Sequence, residues 1–240
     1  MKFAGKTETG LRPQNEDCFM LLHTDTLNAV AVSDGMGGHQ AGEIASRLAV
    51  DTLEQMLSAN HSDPEAALSS AFLEANSAVH ARASMNDEMY GMGCTLVAAL
   101  LEADRFTAAN VGDSRLYYFD GTSLTQITHD HSFVAELVRR DAITPEEAKT
   151  HPRRNLITRA VGTETRVSAD IFSCEWKQND MILLCSDGLF GVLDDAEMAA
   201  YLRNSIDLDA TCAALIQRAL AAGSRDNITV VLAKNDGGNA

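Results

Sequence analysis

Proline and glycine are sparse, 4 and 16 in 240 residues, which excludes collagen-like and linker-dominated chains. Basic residues are also few. With 19 Lys and Arg against 34 Asp and Glu, the formal net charge is −15, so a nucleic-acid backbone is not expected as a partner. The five cysteines, Cys18, Cys94, Cys174, Cys185 and Cys212, are odd in number, scattered and without a CxxC pair. Neither a disulfide framework nor a structural zinc site is indicated, and a reducing compartment fits this usage. No apolar run approaches the ~20 residues that cross a bilayer, and the amino terminus has no basic start followed by an apolar stretch. The expectation is a cytoplasmic protein with no membrane partner.

What is present is ordinary globular composition, 45% apolar and 22% charged, in a chain long enough to bury a sizeable core as one domain. No internal repeat or linker is visible. Residues 1–234 read as a single domain, with 235–240 as a loose tail. Short β-rich runs fall near Lys2–Lys6, Cys18–Leu22, Ala29–Val32, Cys94–Leu101, Arg105–Asn110, Arg115–Phe119, Val167–Ser173, Met181–Cys185 and Ile228–Leu232. Helical patterns run over Ala41–Leu57, Pro64–Met85, Asp194–Asn204 and Asp209–Ala222, with shorter pieces at Ser132–Arg139 and Thr144–Lys149. Helices come in adjacent pairs between groups of strands, which predicts an α+β fold of antiparallel sheets covered by helix pairs. The charged stretch 131–162 reads as an insertion or flap, in which Thr144-Pro145-Glu146-Glu147 predicts a capped helix start.

The strongest chemical signal is a recurrence. Two apolar runs, Ala29–Val32 and Met181–Cys185, each lead into Ser-Asp-Gly, placing Asp34 and Asp187 at strand tips. Asp113 follows a third run in Gly112-Asp113-Ser114, and Asp226 precedes the last in Asp226-Asn227. One Asp-Gly is a turn. Four carboxylates at the ends of buried strands repel one another unless cations neutralise them, and hard oxygen ligands suit Mg²⁺ or Mn²⁺. Glu16 and Asp17 add paired acids near Arg12, a guanidinium shaped to hold a phosphate. The glycine-rich Gly35–Gly42 turn fails both nucleotide-binding patterns, since Glu43 follows Gly42 and Gln40 stands where the dinucleotide pattern needs glycine. His129-Asp130-His131 is read as structural, and no serine elbow or cysteine with a nearby base signals covalent catalysis.

Six ordered stretches then resemble one family. They are Arg12-Pro13-Gln14-Asn15-Glu16-Asp17, Ser33-Asp34-Gly35-Met36-Gly37-Gly38, Gly91-Met92-Gly93-Cys94-Thr95, Asn110-Val111-Gly112-Asp113-Ser114-Arg115, Ser186-Asp187-Gly188-Leu189 and Arg225-Asp226-Asn227-Ile228-Thr229. Together they are similar to the metal-dependent PPM, or type 2C, serine/threonine protein phosphatases, bacterial members in particular. The resemblance implies a four-layer α/β/β/α sandwich of two antiparallel sheets flanked by helix pairs, with a dinuclear Mn²⁺ or Mg²⁺ centre at one end. In that reading Asp34 bridges two ions, Asp17 and the Gly35 carbonyl support one, Asp187 and Asp226 the other, and Glu16 acts through water. Asp113 with Asp187 implies a weaker third ion, and Arg12 grips the phosphate. The implied partners are phosphorylated proteins and a bacterial Ser/Thr kinase, and the expected state is a monomer. Met36 stands where eukaryotic members carry a histidine, which leaves His39 or a metal-bound water to protonate the leaving group. A reading from another class, a catalytically weak phosphoprotein-binding regulator of the same fold, would show a missing ligand acid.

Overall fold

A computed structural model describes residues 1–37, 41–59, 63–85 and 89–237 of the chain. One sheet takes the order β1-β11-β10-β7-β8, from Lys2–Glu8 (β1), Arg115–Phe119 (β7), Leu124–Gln126 (β8), Met181–Cys185 (β10) and Ile228–Lys234 (β11). The other takes the order β2-β3-β5-β6-β9, from Asp17–His23 (β2), Asn28–Met36 (β3), Leu96–Leu101 (β5), Arg105–Val111 (β6) and Asp170–Glu175 (β9), with the short β4 (Gly93–Cys94) paired to β3. Every pairing is antiparallel.

Three apolar layers hold the sandwich together. Val30, Val32, Val97, Phe106, Ile182, Leu184 and Val231 pack between the two sheets. The alternate residues of the same strands, Ala29, Ala31, Leu96 and Ala98, face helices α1 (Ala41–Ser58) and α2 (Pro64–Ala83). On the far side, Leu183, Cys185, Val230 and Leu232 face α6 (Asp195–Arg203) and α7 (Leu208–Ala221). Because the inner strands are buried on both faces, they carry continuous apolar runs instead of the alternation of a half-exposed strand. That gives the four layers implied by the resemblance, with the covered antiparallel sheets expected from the pairing of helices.

The chain departs from the expected elements in informative places. The run from Cys94 to Leu101 breaks at Thr95, whose N–H donates to the Asp34 carbonyl at 2.8 Å, whose carbonyl accepts from Ser33 Oγ at 2.6 Å, and whose Oγ1 accepts from Asp34 N–H at 2.8 Å. Local β propensity yields there to holding the tip of β3. The run at Val167–Ser173 is shifted to β9, and β8 and the one-turn α5 (Asp187–Phe190) were not legible. Within 131–162 lie α3 (Phe133–Arg139), capped by Ser132, and α4 (Pro145–Thr150), whose Thr144–Glu147 capping box is complete. Two residues of the expected tail are held by the fold. Asn235 is buried and donates from Nδ2 to Ala103 O at 2.9 Å, and Asp236 meets the Met1 ammonium at 2.9 Å.

Buried Asn76 on α2 ties the end of segment 131–162 to the helical layer, accepting from Gly162 N–H at 2.8 Å and donating to Glu164 O at 3.0 Å. Asn76→Ala leaves two backbone groups without partners, which costs roughly 2–4 kcal/mol. Urea denaturation is expected to register that loss; a change under about 0.5 kcal/mol would show the tether to be dispensable.

Candidate active site

Antiparallel pairing brings the first residue of β2 opposite the tip of β3, so Asp17 and Asp34 are direct cross-strand partners. Such partners sit with Cβ atoms about 5 Å apart on one face, where two full charges repel by about 3 kcal/mol at an effective dielectric of 20. The other sheet contributes at the same end. β10 runs out into Asp187 as the antiparallel β11 comes in behind Asp226. Gly188 makes this approach possible, because a Cβ there would lie 2.0 Å from Asn227 O.

A hydrogen-bonded seam joins the two sheets at this end. One oxygen of Asp17, on β2, accepts from Ser186 Oγ at 2.7 Å, just past the end of β10, and from Thr229 Oγ1 at 2.6 Å, on β11 of the opposite sheet. Asn227 receives the Glu16 N–H at 2.8 Å and donates to Thr9 O and Gln14 O. The Glu16 carbonyl accepts from Gly35 N–H at 3.0 Å and Ser46 Oγ at 2.6 Å. Gly35 is in turn so close to the first turn of α1 that a Cβ would sit 2.0 Å from Gly42 O. The backbone at Gly35 is thereby held beside Glu16 and Asp34, as a carbonyl ligand requires.

The electrostatics follow from this crowding. Burial, partly offset by the Thr229 and Ser186 hydroxyls, pushes the Asp17 carboxyl up to about 7, with Asp187 and Asp226 adding repulsion. Burial and Asp17 hold Asp34 well above the usual carboxylate range. Asp113 is raised to about 8 by burial and then by Asp187, and Asp187 to about 6 by burial and Asp226. Burial also raises Glu16. Against these stand two arginines, Arg12 and Arg115, which both pull Asp187 down.

Arg12 Nη2 holds Asp226 Oδ2 at 2.7 Å on the exposed rim. Arg115 is held from several sides: Nε and Nη2 clasp Asp130, Nη1 donates to Tyr117 OH, and its guanidinium lies 3.8 Å over the Phe190 ring. No role for Arg115 is legible in the sequence, since Asp130 is 15 residues away and no spacing rule connects them. His129 packs edge-on against Phe172, and His131 is hydrogen-bonded inside the fold, as a structural reading requires. His39 lies outside the described residues.

These residues fit hard divalent cations. Asp17 Oδ1 and Asp187 Oδ1 are buried oxygens without a hydrogen-bond partner, and a carboxylate oxygen left so is a strong acceptor waiting for a positive charge. Among the described residues no three or more His, Cys, Asp or Glu side chains close into a finished cage. The signal for a cation is therefore the unbalanced charge and the buried oxygens without hydrogen-bond partners.

Comparison with known proteins decides the family. A profile of the protein phosphatase 2C family matches residues 9–232. The chain belongs to that family. It is 38% identical over 240 residues to the serine/threonine phosphatase stp of Listeria monocytogenes, covering 96% of this chain and 94% of that one. It is similar to the crystal structure of serine/threonine phosphatase Stp1 from Staphylococcus aureus, with a TM-score of 0.92 at 38% identity over 97% of this chain and 94% of that one. It is also similar to the catalytic domain of serine/threonine protein phosphatase PstP in complex with two manganese ions, with a TM-score of 0.88 at 36% identity over 97% of both chains.

A pH prediction follows from the raised carboxyls. Asp17, Asp113 and Asp187 have folded values of about 7, 8 and 6, above their unfolded ones, so in cation-free protein their contribution is complete below about pH 4 and is lost as pH rises through 6 to 8. Cations bind the deprotonated forms and offset that loss. Adding Mn²⁺ 100-fold above its Kd is expected to raise Tm over the chelated protein by about 5–10 °C at pH 8 and by much less at pH 5.5. A gain independent of pH would show that these carboxylates do not hold the ion.

Proposed function

We propose that this chain is a metal-dependent serine/threonine protein phosphatase, which hydrolyses phosphoserine and phosphothreonine on proteins and reverses a bacterial Ser/Thr kinase. The observation that carries this reading is the meeting of Asp17, Asp34, Asp187 and Asp226 at one end of the sandwich, with buried oxygens of Asp17 and Asp187 unfilled, in a chain of the protein phosphatase 2C family. The names of its relatives support the substrate class, and the two manganese ions of the PstP structure support the metal. Among the described residues no helix is long and apolar enough to cross a membrane. We take the enzyme to be a cytoplasmic monomer without nucleic-acid or membrane partners, formed by a single domain over 1–236.

In this mechanism Asp34, Asp17 and the Gly35 carbonyl would hold one divalent ion, and Asp34, Asp187 and Asp226 would hold a second. Bound there, Mn²⁺ or Mg²⁺ supplies Lewis acidity toward the phosphoryl oxygens and a lowered pKa for water. Ser186 and Thr229 fix the second oxygen of Asp17, which leaves its first oxygen aimed at the ligand position. Glu16, raised by burial, orients a water. Arg12, exposed at the rim, binds the phosphoryl group and positions it for in-line attack. The chain's own thiols do not compete as nucleophiles, because burial pushes Cys94 up to about 12 and Cys185 higher still. A cavity of about 530 Å³ opens beside Met36, between Gly91 and Arg159–Ser168, and gives a protein substrate room next to the phosphate.

Phosphate release from a phosphothreonine peptide tests this directly. Activity is expected with Mn²⁺ or Mg²⁺ and is expected to vanish on complete chelation; activity that survives chelation overturns the reading. Asp34→Asn is expected to lower kcat by at least 10²-fold with unchanged circular dichroism, since it removes a bridging charge without opening a cavity. Arg12→Ala is expected to raise KM roughly 10- to 100-fold, the size of a charge-assisted hydrogen bond. An unchanged kcat/KM would leave Arg12 as a partner of Asp226 alone.

A further inference from the structure

Asp113 leaves β6 through a left-handed turn at Gly112 (φ +106°), and both peptide groups of that turn are held by one buried residue. The Gly112 N–H donates to Nδ1 of the His131 imidazole at 3.0 Å, while the Gly112 carbonyl accepts from the His131 backbone N–H at 2.9 Å and from Asn110 Nδ2 at 3.2 Å. With Nδ1 accepting, the ring proton sits on Nε2, which donates to Asp170 Oδ2 on β9 at 3.2 Å. Asp170 is itself fixed by Arg159 Nη1 at 2.6 Å. The His131 carbonyl accepts from Thr158 N–H at 2.8 Å, so the residue that starts the segment 131–162 also pairs with its returning stretch of chain. His131 is 2% exposed, and burial lowers its pKa, in keeping with the neutral ring this geometry needs.

We propose that His131 is a positioning residue for Asp113. Its imidazole, oriented by Asp170, locks the Gly112 turn so that the Asp113 carboxylate points at a third, weaker cation beside Asp187. This rests on the reading of Asp113 as a ligand of that cation. The arrangement is of the kind that supports metal ligands from behind, where a lost contact typically weakens binding 10- to 100-fold.

Two substitutions split the two ends of the imidazole. His131→Asn keeps an acceptor near the Nδ1 position for Gly112 and falls short of Asp170; His131→Gln reaches toward Asp170 and leaves Gly112 without its acceptor. In cation-free protein, hydrogen exchange of the Gly112 amide is expected to quicken by about 10²-fold or more in His131→Gln and to stay close to wild type in His131→Asn. In calorimetric titration with Mn²⁺ alone, wild type is expected to show a weak binding phase that Asp113→Ala removes. His131→Gln is expected to weaken that phase 10- to 100-fold and spare the tight phase, with His131→Asn restoring it to within a few-fold. If His131→Gln does not fold, Asp170→Ala, which removes the acceptor of the ring Nε2–H while Gly112 stays paired, is expected to weaken the same phase by a few-fold, and an unchanged isotherm overturns the proposal. Equal isotherms in all His131 variants, or equal losses in Asn and Gln, overturn the proposal. An Asp113→Ala isotherm identical to wild type overturns the assignment of Asp113 itself, and the role of His131 toward the cation with it.

Discussion

Repulsion among acids that cannot leave is the constraint around which this molecule is arranged. Asp17 and Asp34 are fixed opposite each other by strand pairing, and Asp187 and Asp226 are brought up by the facing sheet. The strands that carry them are committed by burial on both faces. A cluster of this kind destabilises the fold by itself, so its persistence needs compensation that the rest of the chain does not supply in full. Arg12 and Arg115 are the two cations that pull Asp187 down, against five carboxylates that burial and mutual repulsion act upon. A site poised in this way binds divalent ions with the free energy it lacks without them.

The support behind the acids is built from small neutral groups. Ser186 and Thr229 satisfy one oxygen of Asp17, Thr95 holds the backbone at Ser33 and Asp34, and Asn227 stitches Thr9, Gln14 and Glu16 to the turn before β11. Hydroxyls and amides do this without adding charge, and they cross from one sheet to the other where a longer charged side chain would compete for the ions. Arg115 is the exception, and its charge is shared with Asp130 and the Phe190 ring. That arrangement keeps the guanidinium near Asp113 and Asp187 without letting it take the place of a cation.

A net charge of −15 sits awkwardly with an anionic substrate until the local field is separated from the global one. On the proposed reading the ions and Arg12 would set the sign at the phosphate position, and potentials from distant surface acids are screened over about 8–10 Å at ordinary salt. The arginines of the cavity beside Met36, Arg159 and Arg166, lie on the same side as the site. The acidic exterior therefore favours solubility, and the proposed phosphate site would draw its positive charge from the ions and Arg12.

The sequence alone determined the class of the fold and most of the acids. Paired helices between groups of apolar runs predict covered antiparallel sheets, and the repeated Ser-Asp-Gly after such runs singles out Asp34 and Asp187, because periodicity and turn chemistry are local properties that a single chain displays. What only the tertiary structure decided is how those acids face one another. That Asp17 opposes Asp34 is a matter of register, that Thr95 interrupts a strand to hold β3 is a long-range hydrogen bond overriding propensity, and that Arg115 and His131 stand behind Asp187 and Asp113 depends on contacts between residues with no common spacing. Asn235, expected in a loose tail, is instead buried against Ala103. In each case the deciding interaction joins segments far apart in the chain, and local pattern carries no record of which distant partner will arrive.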